Sequence, residues 1–319
     1  MERSHSSDNH PPGSGGLVVV GSVTADLTAF SSRGPAPGET LLGDSFLCVL
    51  GGKGSNQAVA AALAGADVHI VACVGSDLFT GLVRDGLAGH GVNTAYLTQV
   101  DGPTGVAHIR VDSSGENSIV IVPMANAHLT TEHIDAAFLG IVAPKVLLTQ
   151  LEVRVEVAEY AIRKAHEAGL TVILDPAPAQ ALDDDLWSFI DIVTPNETEA
   201  EVLTGIAVVD QATALHAGRW FTDRGVKWAI ITLASNGALL VWAEGSQQFS
   251  SLAVDAIDTT AAGDAFAGYL GARLALGSAL SEAIEHAIVA GGIAVTRRGA
   301  SPSLPTKAEV DEVLRDLLL

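Results

Sequence analysis

The sequence predicts an α/β fold: a central, mainly parallel sheet with helices on both faces, plus a small β-sheet lid. Three observations carry that reading. Short apolar runs bounded by glycine, such as Leu17-Val18-Val19-Val20-Gly21, have the pattern of strands buried on both faces. From about Val146 onward, such runs alternate with helical segments, which is the rhythm of βα units. Two stretches, one before Leu50 and one around Gly115, hold strand-like runs with no helix between them and suit a separate sheet laid over a site.

Residues 1–16 are rich in Ser, His, Pro and Gly and read as a loose tail. A strand over 17–20 follows. Arg33-Gly34-Pro35-Ala36-Pro37-Gly38 then breaks the next segment into two strand-like pieces. Gly51-Gly52-Lys53-Gly54 leads into an Ala-rich helix over 55–63, then a strand over 67–74 and a helix over 78–87. Runs over 106–111 and 118–122 flank Asp112-Ser113-Ser114-Gly115-Glu116-Asn117 and predict a hairpin. Next come a strand over 146–149, a helix over 155–168, and strands over 172–174, 190–194 and 228–233. A second hairpin is expected from 238–242 and 247–252, and helices over 262–276, 280–297 and 308–318 close the chain. The expected organisation is an α/β domain made of 17–24, 51–103 and 124–319, with 25–50 and 104–123 forming the lid.

At 319 residues and 48% hydrophobic content, the chain can bury one large core. A formal charge of −20 and a pI near 4.7 argue against a nucleic-acid backbone or an anionic membrane as partner. A bound nucleotide would need local positive features or a cation to overcome that field. The mean hydropathy of +0.35 is spread along the chain, and no apolar run approaches a membrane span. Residues 1–16 lack the apolar core of a signal peptide. Cys48 and Cys73 lie in apolar runs and read as buried free thiols, so a reducing, cytoplasmic location is expected. No Cys/His spacing resembles a zinc site.

Asp258-Thr259-Thr260-Ala261-Ala262-Gly263-Asp264 is the segment richest in chemistry. Small residues at a helix start present backbone N–H groups that lack internal partners, where the helix dipole favours an anion. A carboxylate one position further on is electrostatically awkward there. It has a purpose if it removes a proton from a hydroxyl attacking a bound phosphate. An ordinary capped helix start would carry the same residues. Polar residues also fall at several expected strand ends, where open parallel sheets bind ligands: Asp26, Glu152, Asp175, Asn196 and Thr232. Gly51-Gly52-Lys53-Gly54-Ser55-Asn56 is not a P-loop, because Lys53 is followed by Gly. It can still let a small ligand approach the backbone, with Lys53 and Asn56 donating to hydroxyls, or it can be a tight turn with a surface lysine. Asn196-Glu197-Thr198-Glu199-Ala200-Glu201 suits a helix start, and also a water-mediated Mg²⁺ site.

Three motifs in order, Gly51-Gly52-Lys53-Gly54-Ser55-Asn56-Gln57, Thr194-Pro195-Asn196-Glu197-Thr198-Glu199 and the 258–264 segment, resemble the signatures of the ribokinase-like sugar kinases across nearly the whole chain. Pro37-Gly38-Glu39-Thr40, Gln150-Leu151-Glu152, Asp175-Pro176-Ala177-Pro178-Ala179 and 295–300 strengthen the match. The resemblance implies ATP-dependent phosphorylation of a sugar, with D-ribose at its 5-hydroxyl expected first. It implies Asp264 as catalytic base and the backbone of Ala261, Ala262 and Gly263 as anion hole. Thr24, Asp26, Gly51, Gly52, Lys53, Asn56, Glu152 and Asp264 match the sugar site. Asn196, the loop Thr232, Leu233, Ala234, Ser235, Asn236 and Gly237, and also Gly263 and Asp264, match the ATP site. Glu199 matches the position associated with Mg²⁺. Asp258, Thr260, Ala294, Arg297, Gly299 and Ser303 match a monovalent-cation site for K⁺. The family's lids pair between subunits, which implies a homodimer.

Four positions depart from the family pattern: Thr24 where Asn is usual, Ala234 and Met124 where Gly is usual, and Ile288 near the adenine where polar residues are common. The same machinery could instead serve deoxyribose, fructose or a nucleoside. An aromatic content of 5% disfavours the stacking wall a nucleoside needs. A non-catalytic sugar-binding regulator would not need Asp264. A dinucleotide oxidoreductase is excluded, since no G-x-G-x-x-G follows a strand.

Overall fold

A computed structural model describes residues 16–113 and 117–317 of the chain. The expected tail lies outside the described residues except for Gly16, which is already the first residue of a strand. Strands β1 (Gly16–Val20), β4 (Asp67–Val74), β5 (Asn93–Gln99), β8 (Pro144–Thr149), β9 (Thr171–Leu174), β10 (Ile192–Val193), β11 (Trp228–Thr232), β12 (Ala238–Trp242) and β13 (Gly245–Phe249) form one nine-stranded sheet. Its spatial order is β13-β12-β11-β10-β9-β8-β1-β4-β5. All pairings from β11 to β5 are parallel, and β12 and β13 add an antiparallel hairpin at one edge.

Burial of β1 on both faces explains its unbroken apolar run. Leu17 and Val19 join the core on one face, and Val18 and Val20 join the core on the other. The first core is covered by α1 (Lys53–Leu63), α2 (Thr80–Gly89), α7 (Ala262–Ala275), α8 (Leu280–Ala294) and α9 (Lys307–Leu317). The second is covered by α3 (Thr131–Gly140), α4 (Val155–Glu167), α5 (Glu197–Thr204) and α6 (Gln211–Thr222). Leu147 and Leu148 are both fully buried on opposite faces, each worth about 1.5–3 kcal/mol relative to exposure.

The second sheet has the order β3-β2-β6-β7, built from β2 (Thr24–Phe30), β3 (Ser45–Gly51), β6 (Gly105–Val111) and β7 (Asn117–Val122). The β6–β7 pair is the expected hairpin, with Val111 opposite Asn117 and residues 114–116 outside the described set. β2 lies parallel to β6 and antiparallel to β3. Thr24 and Gly51 belong to this sheet rather than to the central one, so each expected boundary moves by one residue.

Other differences have local causes. The helix expected over 280–297 ends at Ala294, because the Val295 carbonyl turns away to accept from Ile257 N and Asp258 N. The strand expected over 190–194 pairs only at Ile192–Val193. The last hairpin closes with Trp242 opposite Gly245, which starts β13 two residues earlier than expected. Cys73 is buried as expected, whereas Cys48 is only half-buried because it lies on the lid.

β1 is where the sheet order reverses: the chain runs outward from it through β4 and β5, and later returns to its other side with β8. Crevices beyond the carboxyl ends of strands at such a reversal are where open α/β sheets bind ligands. Ser22 beyond β1, Gln150 and Glu152 beyond β8, and Asp175 beyond β9 all converge there.

Candidate active site

Between the central sheet and the lid lies a cavity of about 240 Å³. Thr24, Asp26, Gly52, Lys53, Asn56, Glu152, Thr260, Ala261 and Asp264 line it, so nine residues expected from separate motifs meet at one place. Gly51, Ala262 and Gly263 do not line it. Gly51 sits directly behind Asp26, where a Cβ would fall 1.9 Å from the Asp26 carboxyl carbon; only glycine fits. Gly52 turns the chain into α1 with φ 90°.

Asp264 lies in the first turn of α7 and is only 5% exposed. Asn56 Nδ2 donates to its Oδ2 at 3.0 Å, and Gln57 Nε2 donates to its Oδ1 at 3.1 Å. Lys53 Nζ is 3.7 Å from Asp264 Oδ1 and 3.7 Å from Asp175 Oδ2. Burial penalises the Lys53 charge, but Asp264, Asp175, Glu152 and Glu199 outweigh that penalty and hold its pKa above the ordinary value. Burial pushes the Asp175 carboxyl up, against the pull of Lys53. The Asp26 carboxyl is pushed up to about 6, chiefly by burial and further by Glu152 and Asp264, while the Thr24 hydroxyl opposes the shift by donating to Oδ1 at 2.7 Å. Glu152 Oε2 accepts from Ser22 Oγ at 2.5 Å and from Lys53 N at 3.0 Å, which ties the end of β8 to the start of α1.

The turn before α7 is shaped by Asp258. Its Oδ1 accepts from Thr260 N at 2.9 Å and Thr260 Oγ1 at 2.6 Å, and its Oδ2 accepts from Gly299 N at 2.9 Å. Ala261 is then forced into the left-handed region with φ 60°, and α7 begins with its dipole directed at the cavity. Of the expected cation set, Asp258, Thr260 and Gly299 are thus joined directly. Ala294 ends α8, and its carbonyl accepts from Arg297 N at 3.1 Å. The Arg297 guanidinium is turned to Glu309, and Ser303 Oγ donates to Ala300 O, so those two side chains are committed elsewhere. Arg297 would contribute through its backbone and Ser303 through remaining lone pairs. This set of carboxylate, hydroxyl and helix-end carbonyl oxygens fits a hard monovalent cation.

Asn196 pairs with Thr232 in a parallel bridge. Asn196 caps α5: its Oδ1 accepts from Glu199 N at 2.8 Å, and Glu199 Oε2 accepts from Asn196 N at 2.9 Å. Glu199 therefore has a structural role in the cap while lying within electrostatic reach of Lys53 and Asp175. A single carboxylate such as Glu199 would suit Mg²⁺, which keeps most of its waters and needs few direct protein ligands. The loop from Leu233 to Gly237 is closed by Leu233 N donating to Gly237 O at 2.8 Å. It is anchored by Ser251 Oγ on Ser235 O and by Gln248 Nε2 on Asn236 O. Ala234 holds φ 45° and Met124 φ 44°, so both stand in left-handed backbone where glycine is the less strained residue. Leu233 and Asn236 also border a second cavity of about 420 Å³, together with Glu197 and Asp210.

Several roles here had no warning in the motifs. Ala107, Ile109, Ile119 and Ile121 roof the cavity from the lid. The register explains them: Asp26 is opposite Ala107 and Ala107 opposite Ile121, so all three share the sheet's inner face. Gln57, fully buried, reaches both Asp264 and Asp175, and Ser301 Oγ approaches Asn56 Oδ1 at 3.2 Å. Only contact across the fold identifies these.

The model of the pfkB family of carbohydrate kinases matches residues 15–307. A ribokinase of Haemophilus influenzae is 42% identical over 299 residues, covering 93% of this chain and 98% of its own length. A deoxyribokinase of Salmonella typhimurium is 35% identical, covering 93% and 98%. The solved structure of an Arabidopsis thaliana ribokinase complexed with ribose and ATP superposes with a TM-score of 0.86 at 31% identity, covering 95% of this chain and 99% of that one.

Proposed function

The chain belongs to the pfkB family of carbohydrate kinases, and from that premise we propose that it transfers the γ-phosphoryl group of ATP to the 5-hydroxyl of D-ribose. The observation that carries this reading is the Asp264 carboxylate, buried at the floor of the cavity between lid and sheet and held by two amide donors. Asp26, Lys53, Asn56 and Glu152 present the acceptors and donors that a polyhydroxylated ligand needs, and the lid isoleucines cover its apolar face.

In this reading Asp264 removes the proton from the sugar's terminal hydroxyl as that oxygen attacks the γ-phosphorus. The bond from the γ-phosphorus to its bridging oxygen breaks, and ADP leaves with the electron pair. The backbone N–H groups at the start of α7, from Ala261 to Gly263, stabilise charge on the phosphoryl oxygens. Asn196 and the loop from Thr232 to Gly237 would hold the nucleotide, and Glu199 would help hold Mg²⁺, which would supply positive charge at the phosphates. Potassium bound among Asp258, Thr260, Ala294, Arg297, Gly299 and Ser303 would supply positive charge behind the N–H groups. Lid closure would exclude water that could otherwise hydrolyse ATP. The lid pairs with that of a second copy, and the protein works in the cytoplasm; no described helix is long and apolar enough to cross a membrane.

The test is ADP release over D-ribose, 2-deoxyribose, fructose and nucleosides, with the wild type and Asp264→Asn, in KCl and in NaCl. Ribose should give the highest kcat/KM, K⁺ should exceed Na⁺, and Asp264→Asn should lower kcat by roughly 10²–10⁴-fold. Preference for deoxyribose would move the substrate to the chemistry named for the Salmonella relative. Near wild-type turnover by Asp264→Asn would remove that carboxylate from its role, and sugar binding without ADP release would favour a regulator.

A further inference from the structure

Gln57 occupies a position that no role in substrate binding explains. It is fully buried, it does not line the cavity, and both hydrogens of its amide are engaged by carboxylates. Nε2 donates to Asp264 Oδ1 at 3.1 Å and to Asp175 Oδ2 at 2.7 Å. Its Oε1 accepts from Gln150 Nε2 at 2.6 Å. The two carboxylates forbid the flipped amide, because Oε1 cannot accept from either of them. Gln150 is itself fully buried, and its own Oε1 has no partner among the described residues. Gly21 packs so tightly there that a Cβ would fall 2.1 Å from that oxygen. Gln150 is therefore held by packing, Gln57 by Gln150, and Asp264 by Gln57.

We propose that Gln57, locked by Gln150 and anchored on Asp175, is the positioning residue that fixes the rotamer and proton affinity of Asp264, leaving Oδ2 to face the substrate. The proposal rests on Asp264 being the base. Two donors on one carboxylate, Asn56 and Gln57, hold its plane. Asn56 lines the cavity and is free to exchange its bond for one to the sugar; Gln57 is not. The other charged groups that face Asp264 are Lys53 of α1, Asp26 of β2 and Asp175 beyond β9. Glu152 and Glu199 act on it through Lys53. Lys53 is shared equally between Asp264 and Asp175, so it cannot by itself choose an orientation for the base. The amide of Gln57 can.

The variants are Gln57→Leu, Gln57→Glu and Gln150→Leu, each compared with the wild type by the pH dependence of kcat at saturating sugar and MgATP. That profile reports groups in the substrate complex and leaves aside Asp26, whose titration bears on sugar capture. Loss of a donor raises the proton affinity of Asp264. The acid limb should therefore move up by about one pH unit in Gln57→Leu, a tenfold change in proton affinity. It should move further in Gln57→Glu, which puts a third carboxylate between the first two, and less in Gln150→Leu. Sugar KM should change less than kcat in all three. A merely structural role would lower Tm and the active fraction while leaving the acid limb in place, and an unmoved limb in Gln57→Leu and Gln57→Glu overturns the proposal. If Asp264→Asn retains turnover, it is the base assignment that fails instead, so the two failures are distinguishable.

Discussion

Asp26 shows how a carboxyl buried at a cavity can cost stability. Its carboxyl is 5% exposed, its one side-chain donor is Thr24, and Glu152 and Asp264 lie close by. The folded-state pKa near 6 lies above the ordinary 3.8, so the native protein binds this proton more tightly than the unfolded chain does. The contribution is neutral below about pH 4, grows more destabilising as the pH rises from there to 6, and is fully present above 6. A shift of about two units corresponds to roughly 3 kcal/mol. Asp26→Asn should therefore be more stable than the wild type at pH 7.5, with the gain vanishing near pH 4, while its sugar KM rises about tenfold or more through the lost acceptor. Urea denaturation at several pH values together with sugar kinetics checks this. An unchanged stability difference from pH 4 to pH 7.5 would contradict it. The place of Asp26 beside a ligand cavity was legible in the sequence, although it stands inside β2 of the lid sheet and not, as expected, at the end of a strand of the parallel sheet. That of Gln57 was not. It closes its motif as one more helical residue, and its partners lie 118 and 207 positions away.

At the scale of elements, α5 begins with a box that has two uses. Asn196 and Glu199 satisfy each other's backbone N–H groups, and Glu199 also faces the charged cluster. Glutamine at that third position preserves the box, since its oxygen still accepts from Asn196 N. Glu199→Gln should then leave stability within about 0.5 kcal/mol of wild type and raise the Mg²⁺ needed for half-maximal rate by about tenfold or more. Magnesium titrations at fixed ATP, alongside thermal unfolding, measure both. An unchanged Mg²⁺ requirement would leave Glu199 as a cap alone. Elements with a strong apolar signature were legible: 67–74 was expected residue for residue, because Asp67–Val74 is buried along most of its length. Those with a mixed signature were not. β5 carries polar residues at an edge, and the helices Thr131–Gly140 and Gln211–Thr222 show their apolar stripes only against the sheet they cover. β10 is shorter than its apolar run because only two of its residues find partners on both sides.

For the whole molecule, the lid poses the remaining physical problem. Every described residue of β7 is exposed, including Ile119 (46%), Val120 (65%), Ile121 (43%) and Val122. β7 is also the open edge of its sheet, and Phe46 on the opposite edge strand is 65% exposed. Unpaired apolar edges invite association, and monomeric proteins usually blunt them with charge. Burying them against the same surface of a second copy satisfies both edges through a two-fold arrangement. The register separates two faces: Ile119 and Ile121 look into the cavity, and Val120 looks away from it. Val120→Lys therefore charges the outward face without entering the sugar site. It should shift the protein from dimer to monomer in sedimentation equilibrium at micromolar concentration. The sugar KM should rise with the loss of a partner that steadies the lid, and ATP binding should be retained. A wild type that sediments as a monomer, or a variant that stays dimeric with unchanged kinetics, would show that the lid does not pair.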